Sequence, residues 1–352
     1  MAGTAAEDRA LLAAARRGDE AAFGRLVEPR RRELQAHCYR MLGSLHDAED
    51  AVQETLLRAW RGLPGFEGRS SPRSWLSSIA TNVCLDAIAR GRKRVTPLDL
   101  GPESDAALGP GRPLTESVWI EPFPDAWLGD ADHPAGPAAP AARYAQRESV
   151  ELAFVAALQH LSARQRAALI LFEVLGYSAK EVADTLDTTV ASVNSALQRA
   201  RRTVEEKLPA QSQQATLRAL GDERLREIVD GYLAAWEAGD VAAIEAMLVE
   251  DAVITMPPMA TWFRGAGFRT FLRDWAFNGR VYDALGRRRV RVVATSASGQ
   301  PAFGTYSWDD AAGAHRPTVL QVLTLDGGRI REVTGFVQPE LFARFGLPPE
   351  LP

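Results

Sequence analysis

The sequence predicts a multidomain protein in which two all-α regions precede one α+β domain. Three observations support this prediction. The chain has 352 residues, which is too long for one typical hydrophobic core. Apolar residues recur at helical spacing over about the first 210 residues, with one proline-rich interruption. From about residue 221 onward, helical patterns come first and alternating strand patterns follow, an order typical of α+β domains.

The first region, residues 8–95, is predicted to be all-helical. Apolar residues recur at helical spacing from 19 to 42, and Gly43 and Ser44 then interrupt the pattern. A further helix is predicted from about 47 to 62, with an acidic face near its N-terminus, where the helix dipole tolerates negative charge. By itself, that face indicates only a solvated surface.

A polar loop, residues 65–74, leads into a helix opened by Trp75, and this helix ends in a basic run from Arg90 to Arg94. Such a loop beside a basic helix end can hold single-stranded nucleic acid through backbone charge and nearby aromatic rings. It can equally be an ordinary loop, with a basic last turn that complements the helix dipole. These residues alone leave both interpretations open.

Residues 96–143 form a predicted linker, because prolines recur there among glycine, alanine and acidic residues. One patch, residues 119–128, is unlike a passive spacer. Exposed aromatic side chains in a linker are unfavourable unless they pack somewhere. We therefore expect Trp119, Phe123 and Trp127 to dock on a neighbouring domain or on a partner.

The second helical region, residues 144–208, ends in a helix-turn-helix pattern. Ser178 and Glu181 form a capping box at the start of one short helix, and residues 187–189 interrupt the pattern before a second helix. A polar, basic second helix fits the major groove, where Asn, Gln and Arg pair with base edges. The alternative is a helical hairpin in an ordinary bundle. The polar face of the second helix comprises Ser192, Asn194, Ser195, Gln198, Arg199, Arg201 and Arg202.

A second polar linker is predicted at 209–220, followed by the α+β domain at 221–348. Helices are predicted at its start, and later stretches alternate as strands of a curled antiparallel sheet. Asp326, Gly327 and Gly328 separate the last two strands and form a clear hairpin signal.

Composition excludes several classes of protein. The two cysteines lie in apolar helical patterns, and the five histidines show no ligand spacing, so we expect no disulfide, no metal and no cofactor. No apolar run is long enough to span a membrane, so we expect a cytoplasmic protein without a membrane partner. The net charge of -4 predicts weak DNA binding by the protein alone. It must dimerise, or a larger partner must supply most of the affinity.

Over residues 10–208 the chain resembles the bacterial sigma factors of the extracytoplasmic-function (ECF) group. The run from Asp47 to Trp60 resembles the family's segment that docks on core RNA polymerase. Residues 66–90 resemble the part of domain 2 that opens and reads the promoter -10 element, and 176–202 resemble the -35 reader of domain 4. The resemblance implies three sets of contacts. Asp50, Gln53 and Glu54 would bind core polymerase; Arg69, Ser70, Arg73, Ser74, Asn82, Asp86 and Arg90 would bind the -10 strand; Thr189, Ser192, Asn194, Ser195, Gln198 and Arg199 would read the -35 duplex, with Arg201 and Arg202 on phosphate.

Residues 221–348 resemble SnoaL-like domains, a cone-shaped α+β class that also contains small isomerases and cyclases. Some sigma factors of this group carry such a tail, which implies regulation through contact with the sigma domains. We expect Trp119, Phe123 and Trp127 of the linker, and Asp326, Gly327 and Gly328 of the hairpin, to act in that docking. An enzyme is not predicted, because nothing in the sequence brings the acid/base candidates Asp251 and His315 together. A mostly aromatic set that could line a pocket is more typical of a core: Tyr232, Trp236, Met256, Trp262, Phe268, Trp275, Trp308 and His315.

Two other functions remain compatible with these residues. One is a polymerase-independent helix-turn-helix regulator with a ligand-sensing tail, which would bind duplex DNA tightly by itself, as a dimer. The other is an isomerase or cyclase whose DNA-binding half is secondary. Association with core polymerase distinguishes the sigma factor from both.

Overall fold

A computed structural model describes residues 5–68, 70–114, 119–128, 147–278 and 290–352 of the protein. It divides into two compact units. One unit combines Met1–Arg94 with Ala126–Leu208, and the other combines Val95–Asp125 with Pro209–Pro352. The two predicted helical regions therefore share one unit. Most of the predicted first linker, residues 96–125, belongs with the C-terminal region.

The N-terminal part of the first unit is a bundle of five helices among the described residues. The helix predicted from 19 to 42 is in fact two helices, because Pro29 sits in an intervening 3-10 turn, Glu28–Arg30. The helix expected to open at Trp75 begins earlier, since Ser71 caps it by accepting a hydrogen bond from the Ser74 amide at 3.1 Å. The helices are α1 Ala5–Ala15, α2 Glu20–Val27, α3 Arg31–Leu42, α4 Leu45–Gly62 and α5 Pro72–Arg90.

The second part of this unit contains the helix-turn-helix. Its predicted start at residue 144 lies outside the described residues. The helices here pack on one another and on α3 and α5, so both parts share a common interior. Cys38 of α3 and Cys84 of α5 are buried free thiols. The helices are α6 Leu152–Gln159, α7 Ala163–Leu169 with a wider turn at Ile170–Val174, α8 Ala179–Thr185 and α9 Val190–Lys207.

The second unit combines helices with a six-stranded sheet, which agrees with the predicted α+β class. Its first helix begins inside the predicted linker 209–220, because Ser212 caps it, and it kinks at Gly221, where φ is 74°. The elements are α10 Gln213–Ala238, α11 Val241–Met247, β1 Leu248–Thr255, β2 Trp262–Arg264, α12 Gly265–Phe271 with a wider turn at Leu272–Ala276, β3 Arg291–Ala297, β4 Gln300–Asp309, β5 Ala314–Asp326, β6 Arg329–Phe336 and a final 3-10 segment Pro339–Phe345.

The sheet is mixed, and the prediction of a purely antiparallel sheet was wrong. Its strand order is β2-β1-β6-β5-β4-β3, and β1 runs parallel to β6, with Ile254 opposite Val333. Parallel neighbours need a long connection, and β2, α12 and β3 to β5 together provide it. The hairpin prediction at 326–328 was correct, because Asp326 pairs with Arg329 across a two-residue turn.

The core of this unit lies between the sheet and α10. Tyr232 of α10 packs on Phe303 of β4, with ring centroids 5.1 Å apart. The Tyr232 hydroxyl donates a hydrogen bond to Gln321 at 2.6 Å, so this buried polar group is satisfied. Among the described residues, no helix combines the length and apolar character that crossing a membrane requires.

Candidate nucleic-acid and polymerase interface

The helix-turn-helix is held by two caps. The Ser178 amide donates to Glu181 Oε2 at 2.8 Å, and the Glu181 amide donates to Ser178 Oγ at 3.3 Å, which completes the predicted capping box. The hydrogen bonds from Ser178 hold the pKa of Glu181 below its ordinary value. Thr189 caps α9 through the Ser192 amide, at 3.2 Å. Between the helices, Asp187 adopts a φ of 47°, the left-handed conformation that such a tight turn requires.

The predicted -35 readers all lie on the exposed face of α9 or at its cap. Val193, Leu197 and Ala200 are buried against the rest of the domain and fix the orientation of the helix. The opposite face can therefore enter a major groove without disturbing the core. The exposed residues are Thr189, Ser192, Asn194, Ser195, Gln198, Arg199, Arg201 and Arg202.

Several of these side chains already have partners in the protein, including Arg202, which lies 3.8 Å from Glu206. Arg201 forms an ion pair with Glu173, and its guanidinium lies 5.7 Å from the centre of the Phe172 ring. The hydroxyl of Thr189 is engaged in the cap and bonds Ser192 Oγ at 3.0 Å. Both residues would have to exchange these contacts on binding DNA. Arg199 has no ion pair within the described part of the chain.

The predicted polymerase contacts share one face of α4. Asp50 and Gln53 are exposed, and Glu54 is half-buried. The same face also presents Leu57, whose exposed fraction of 51% is unusual for a leucine. Residues at spacings of three, four and seven lie side by side on a helix. The sequence analysis did not name Leu57, although its spacing from Asp50, Gln53 and Glu54 places it on their face.

The predicted -10 residues on α5 are Asn82, Asp86 and Arg90, and all three are exposed at four-residue spacing. Arg58 of α4 joins this row to the polymerase face. It donates to Glu54 at 2.7 Å and to Asp86 at 2.9 Å, and these two carboxylates raise its pKa. One arginine thus links the two predicted binding surfaces.

The remaining predicted -10 residues lie in the loop before α5, which includes Arg69 and Ser70, and in the first turn of α5, which includes Arg73 and Ser74. Arg69 lies outside the described residues. Ser70 is exposed, and Ser74 Oγ lies 3.0 Å from the Oγ of the capping residue Ser71. Arg73 donates to Glu33 at 2.7 Å, and its guanidinium lies 5.7 Å from the centre of the Tyr177 ring, just before the helix-turn-helix. Arg73 thus joins the two helical parts of the first unit.

Two buried arginines bind these helical parts together more deeply, in a contact that we call the arginine seam. Arg40 of α3 donates to the Ser149 hydroxyl at 2.7 Å. Arg166 of α7 donates to Gln159 Oε1 at 2.6 Å and also to the Met41 carbonyl. Arg40 and Arg166 are 2% and 4% exposed. Within the described residues, neither has a carboxylate at ion-pairing distance.

Burial lowers the pKa of Arg40 to about 10 and that of Arg166 to about 10. Both side chains therefore remain charged at neutral pH. Burying a charge without a carboxylate at ion-pairing distance is unfavourable. The arginine seam is thus a specific contact between the two helical parts, in which the buried charges oppose closure.

The predicted linker docks on the C-terminal domain, in a contact that we call the linker dock. Ser104 pairs with Trp262 of edge strand β2: the Ser104 amide donates to the Trp262 carbonyl at 3.0 Å, and the Trp262 amide donates to Ser104 Oγ at 3.4 Å. Trp275 Nε1 donates to the Ala106 carbonyl at 2.8 Å. The Leu114 amide donates to the Pro258 carbonyl at 3.0 Å.

The second half of the linker dock lies at the turn between β3 and β4. Phe123 is fully buried, and its amide donates to Ser298 Oγ at 2.9 Å while its carbonyl accepts from the Ser298 amide at 2.7 Å. The Gly299 amide donates to Asp125 Oδ1 at 2.8 Å. Trp119 is also buried, and Trp127 is half-buried. Phe123 is thus buried against the C-terminal domain, and the predicted regulatory role of Trp119, Phe123 and Trp127 stays a prediction.

The C-terminal domain does not bring the two acid/base candidates together. Asp251 is exposed on β1, whereas His315 lies on β5, with β6 between the two strands. His315 packs edge-on against Trp308, and its Nδ1 lies 3.0 Å from the Pro352 carbonyl. Several members of the predicted aromatic set are core residues: Tyr232, Trp236, Met256 and Phe268.

An exposed second helix in a helix-turn-helix, joined to a further helical module, is typical of a DNA-binding transcription factor. Comparisons with known proteins agree with this class. The sequence matches Sigma-70 region 2 over residues 26–94, Sigma-70 region 4 over 151–204 and the SnoaL-like domain over 229–333.

The chain is 42% identical over 337 residues to "ECF RNA polymerase sigma factor SigG" of Mycobacterium tuberculosis, covering 96% of this chain and 86% of the relative. It is 28% identical over 206 residues to the RNA polymerase sigma-H factor of Pseudomonas aeruginosa, covering 58% of this chain and 95% of that protein. The crystal structure of the M. tuberculosis extracytoplasmic function sigma factor SigJ shares its fold, with a TM-score of 0.55, 22% identity and coverage of 91% of this chain and 97% of SigJ. The chain belongs to the ECF RNA polymerase sigma factors.

Proposed function

We propose that this sigma factor directs core RNA polymerase to its promoters and that its C-terminal domain restrains it by holding the linker. The α4 face with Asp50, Gln53 and Glu54 binds polymerase. The α5 face and the preceding loop bind the opened -10 strand, and α9 reads the -35 duplex. The C-terminal domain is regulatory rather than catalytic, and the protein works in the cytoplasm, where polymerase meets the chromosome.

The linker dock is the observation that carries the regulatory part of this proposal. The predicted linker of roughly fifty residues could span ~170 Å at full extension. Beyond Asp125, the end of the docked stretch, about twenty residues of that linker remain, which span at most ~65 Å. The -10 and -35 elements, named for positions about 25 base pairs apart, are separated by ~85 Å of duplex. Docking therefore takes about thirty of the linker residues out of the free tether, which limits how far the two helical modules can part.

The arginine seam supports the same conclusion. Arg40 and Arg166 keep the two helical modules in contact, whereas reading two separated elements requires them to part. Because the seam buries charge without a carboxylate partner, parting releases two guanidinium groups to water. The linker dock then becomes the main restraint on opening.

The test is to loosen the dock without touching the sigma modules. At Gly109, where φ is 77°, an added Cβ would lie 2.5 Å from the Trp275 ring, so Gly109→Ala should displace the linker. Gly101→Ala is the matched control, because its backbone is extended and an added Cβ there meets nothing within 4 Å. In transcription with purified core polymerase, we expect Gly109→Ala to raise promoter output several-fold, while Gly101→Ala leaves it unchanged.

Equal output from both variants would refute restraint by the linker, without bearing on promoter recognition. Promoter recognition has its own test. Replacing Asp50, Gln53 and Glu54 together with alanine should abolish association with core polymerase, and the polymerase-independent alternative would survive that change.

A further inference from the structure

A cleft in the C-terminal domain has the composition of a binding site for a small anion. It has a volume of about 570 Å³ and lies between α10, the end of α11 and the β5–β6 turn. Small-molecule sites fall within roughly 300–1,000 Å³ and combine an apolar wall with a few polar groups. We call it the turn cleft. Its lining consists of Arg224, Glu227, Ile228, Gly231, Met247 and the turn residues 328–329, with Ala246 at the edge.

The charges of the turn cleft favour an anion. Arg224 is paired with Glu227 at 2.7 Å, so their charges offset each other. Arg329 is exposed and, within the described residues, has no carboxylate at ion-pairing distance, because the neighbouring Asp326 is paired with Arg331. One guanidinium is therefore available to a ligand, with Arg224 beside it. Arginine binds carboxylate and phosphate groups through two parallel hydrogen bonds.

The apolar wall of the cleft indicates what the uncharged part of the ligand would be. Ile228 and Met247 face the cleft, and Gly231 contributes no side chain between them. A Cβ built on Gly231 would lie 3.7 Å from Met247 Cε, so any larger side chain would occupy this space. A short hydrocarbon segment fits such a wall, and each CH₂ that leaves water contributes about 0.8 kcal/mol of transfer free energy.

We propose that the turn cleft binds a small amphipathic anion: a carboxylate or phosphate group on Arg329, with an apolar chain against Ile228 and Met247. This inference extends the proposed function, since such a ligand would be the effector of the regulatory domain. The hairpin that the sequence singled out for docking would then hold the ligand through its last residue, Arg329.

Titration calorimetry of the full chain tests the proposal with three probes: octanoate, octanol and acetate. We expect saturable binding of octanoate, and binding at least about tenfold weaker for octanol, which lacks the charge, and for acetate, which lacks the chain. Arg329→Gln should weaken octanoate binding about tenfold or more. Arg226→Gln, a change of an exposed arginine on α10 that does not line the cleft, should leave octanoate binding unchanged.

Gly231→Leu provides a second route, because leucine favours the helix and fills the apolar part of the cleft. It should remove octanoate binding from a folded protein. Octanoate that binds Arg329→Gln or Gly231→Leu as well as it binds the natural chain would overturn the proposal, as would the absence of saturable binding. Calorimetry contains neither polymerase nor promoter, so its outcome is separate from the Gly109→Ala transcription test.

Discussion

The arginine seam and the linker dock join parts of the molecule by different means. The seam buries two guanidinium groups against carbonyl, amide and hydroxyl oxygens. The dock uses main-chain hydrogen bonds along an edge strand and a turn, together with the buried Phe123 ring. Main-chain pairing and apolar burial are favourable in water, whereas charge burial opposes closure. We therefore expect the seam to open readily and the dock to act as the restraint.

The largest effect should come from removing a seam arginine. Arg166→Ala leaves a cavity and deprives Gln159 and the Met41 carbonyl of their donor, which should destabilise the first unit by about 3 kcal/mol. Urea unfolding, monitored by amide hydrogen exchange in α6 and α7, measures this change in the free energy of unfolding. Arg164→Ala, an exposed neighbour on α7, is the control. Unfolding of both variants at the same urea concentration would show that the seam contributes nothing.

The next largest predicted effect is a loss of stability at acidic pH, which distinguishes the first unit from the second. Burial, with a contribution from Arg40, lowers the pKa of His37 to about 3, and His37 Nε2 lies 3.0 Å from Thr81 Oγ1. The unfolded chain thus takes up this proton at a higher pH than the folded chain. Stability of the first unit should fall as the pH drops below about 6.5, by about 2 kcal/mol at pH 5. His37→Gln should flatten this dependence, and an equally acid-sensitive variant would contradict the assignment.

The smallest predicted change in stability concerns the second unit, and its pH dependence is opposite to that of the first unit. Burial raises the pKa of Glu332 on β6, so the folded domain holds this proton more tightly than the unfolded chain. Ionisation at neutral pH therefore weakens this domain. Glu332→Gln should stabilise it by on the order of 1 kcal/mol at pH 7, and the gain should vanish as the pH falls below 4.5. Thermal unfolding of Glu332→Gln, compared with the exposed control Glu340→Gln, would detect this stabilisation. A stabilisation that does not depend on pH would exclude ionisation of Glu332 as its cause.

The sequence predicted best what local interactions determine. The helix-turn-helix was placed correctly, because the capping box at Ser178 and the turn at 187–189 depend on neighbouring residues. The exposed face of α9 followed from its helical period alone.

Features that depend on distant residues escaped prediction. The parallel pairing of β1 with β6 joins segments about eighty residues apart, and β2 has only three residues. The start of α10 inside a predicted linker was missed, because Gln213 there is stabilised by hydrogen bonds with the distant Leu325. Nothing local marks Arg40 and Arg166 as buried, since arginines are normally exposed. Their burial arises only when the two helical modules pack together.

Amide hydrogen exchange of the linker, with and without core polymerase and promoter DNA, tests the central claim most directly. The donors to follow are the amides of Ser104, Leu114 and Phe123, which bond to the C-terminal domain. Our account predicts slow exchange in the free protein and fast exchange in the promoter complex, where the linker has left its dock. Amides that remain equally protected in an active promoter complex would contradict it, as would amides that exchange freely in the protein alone.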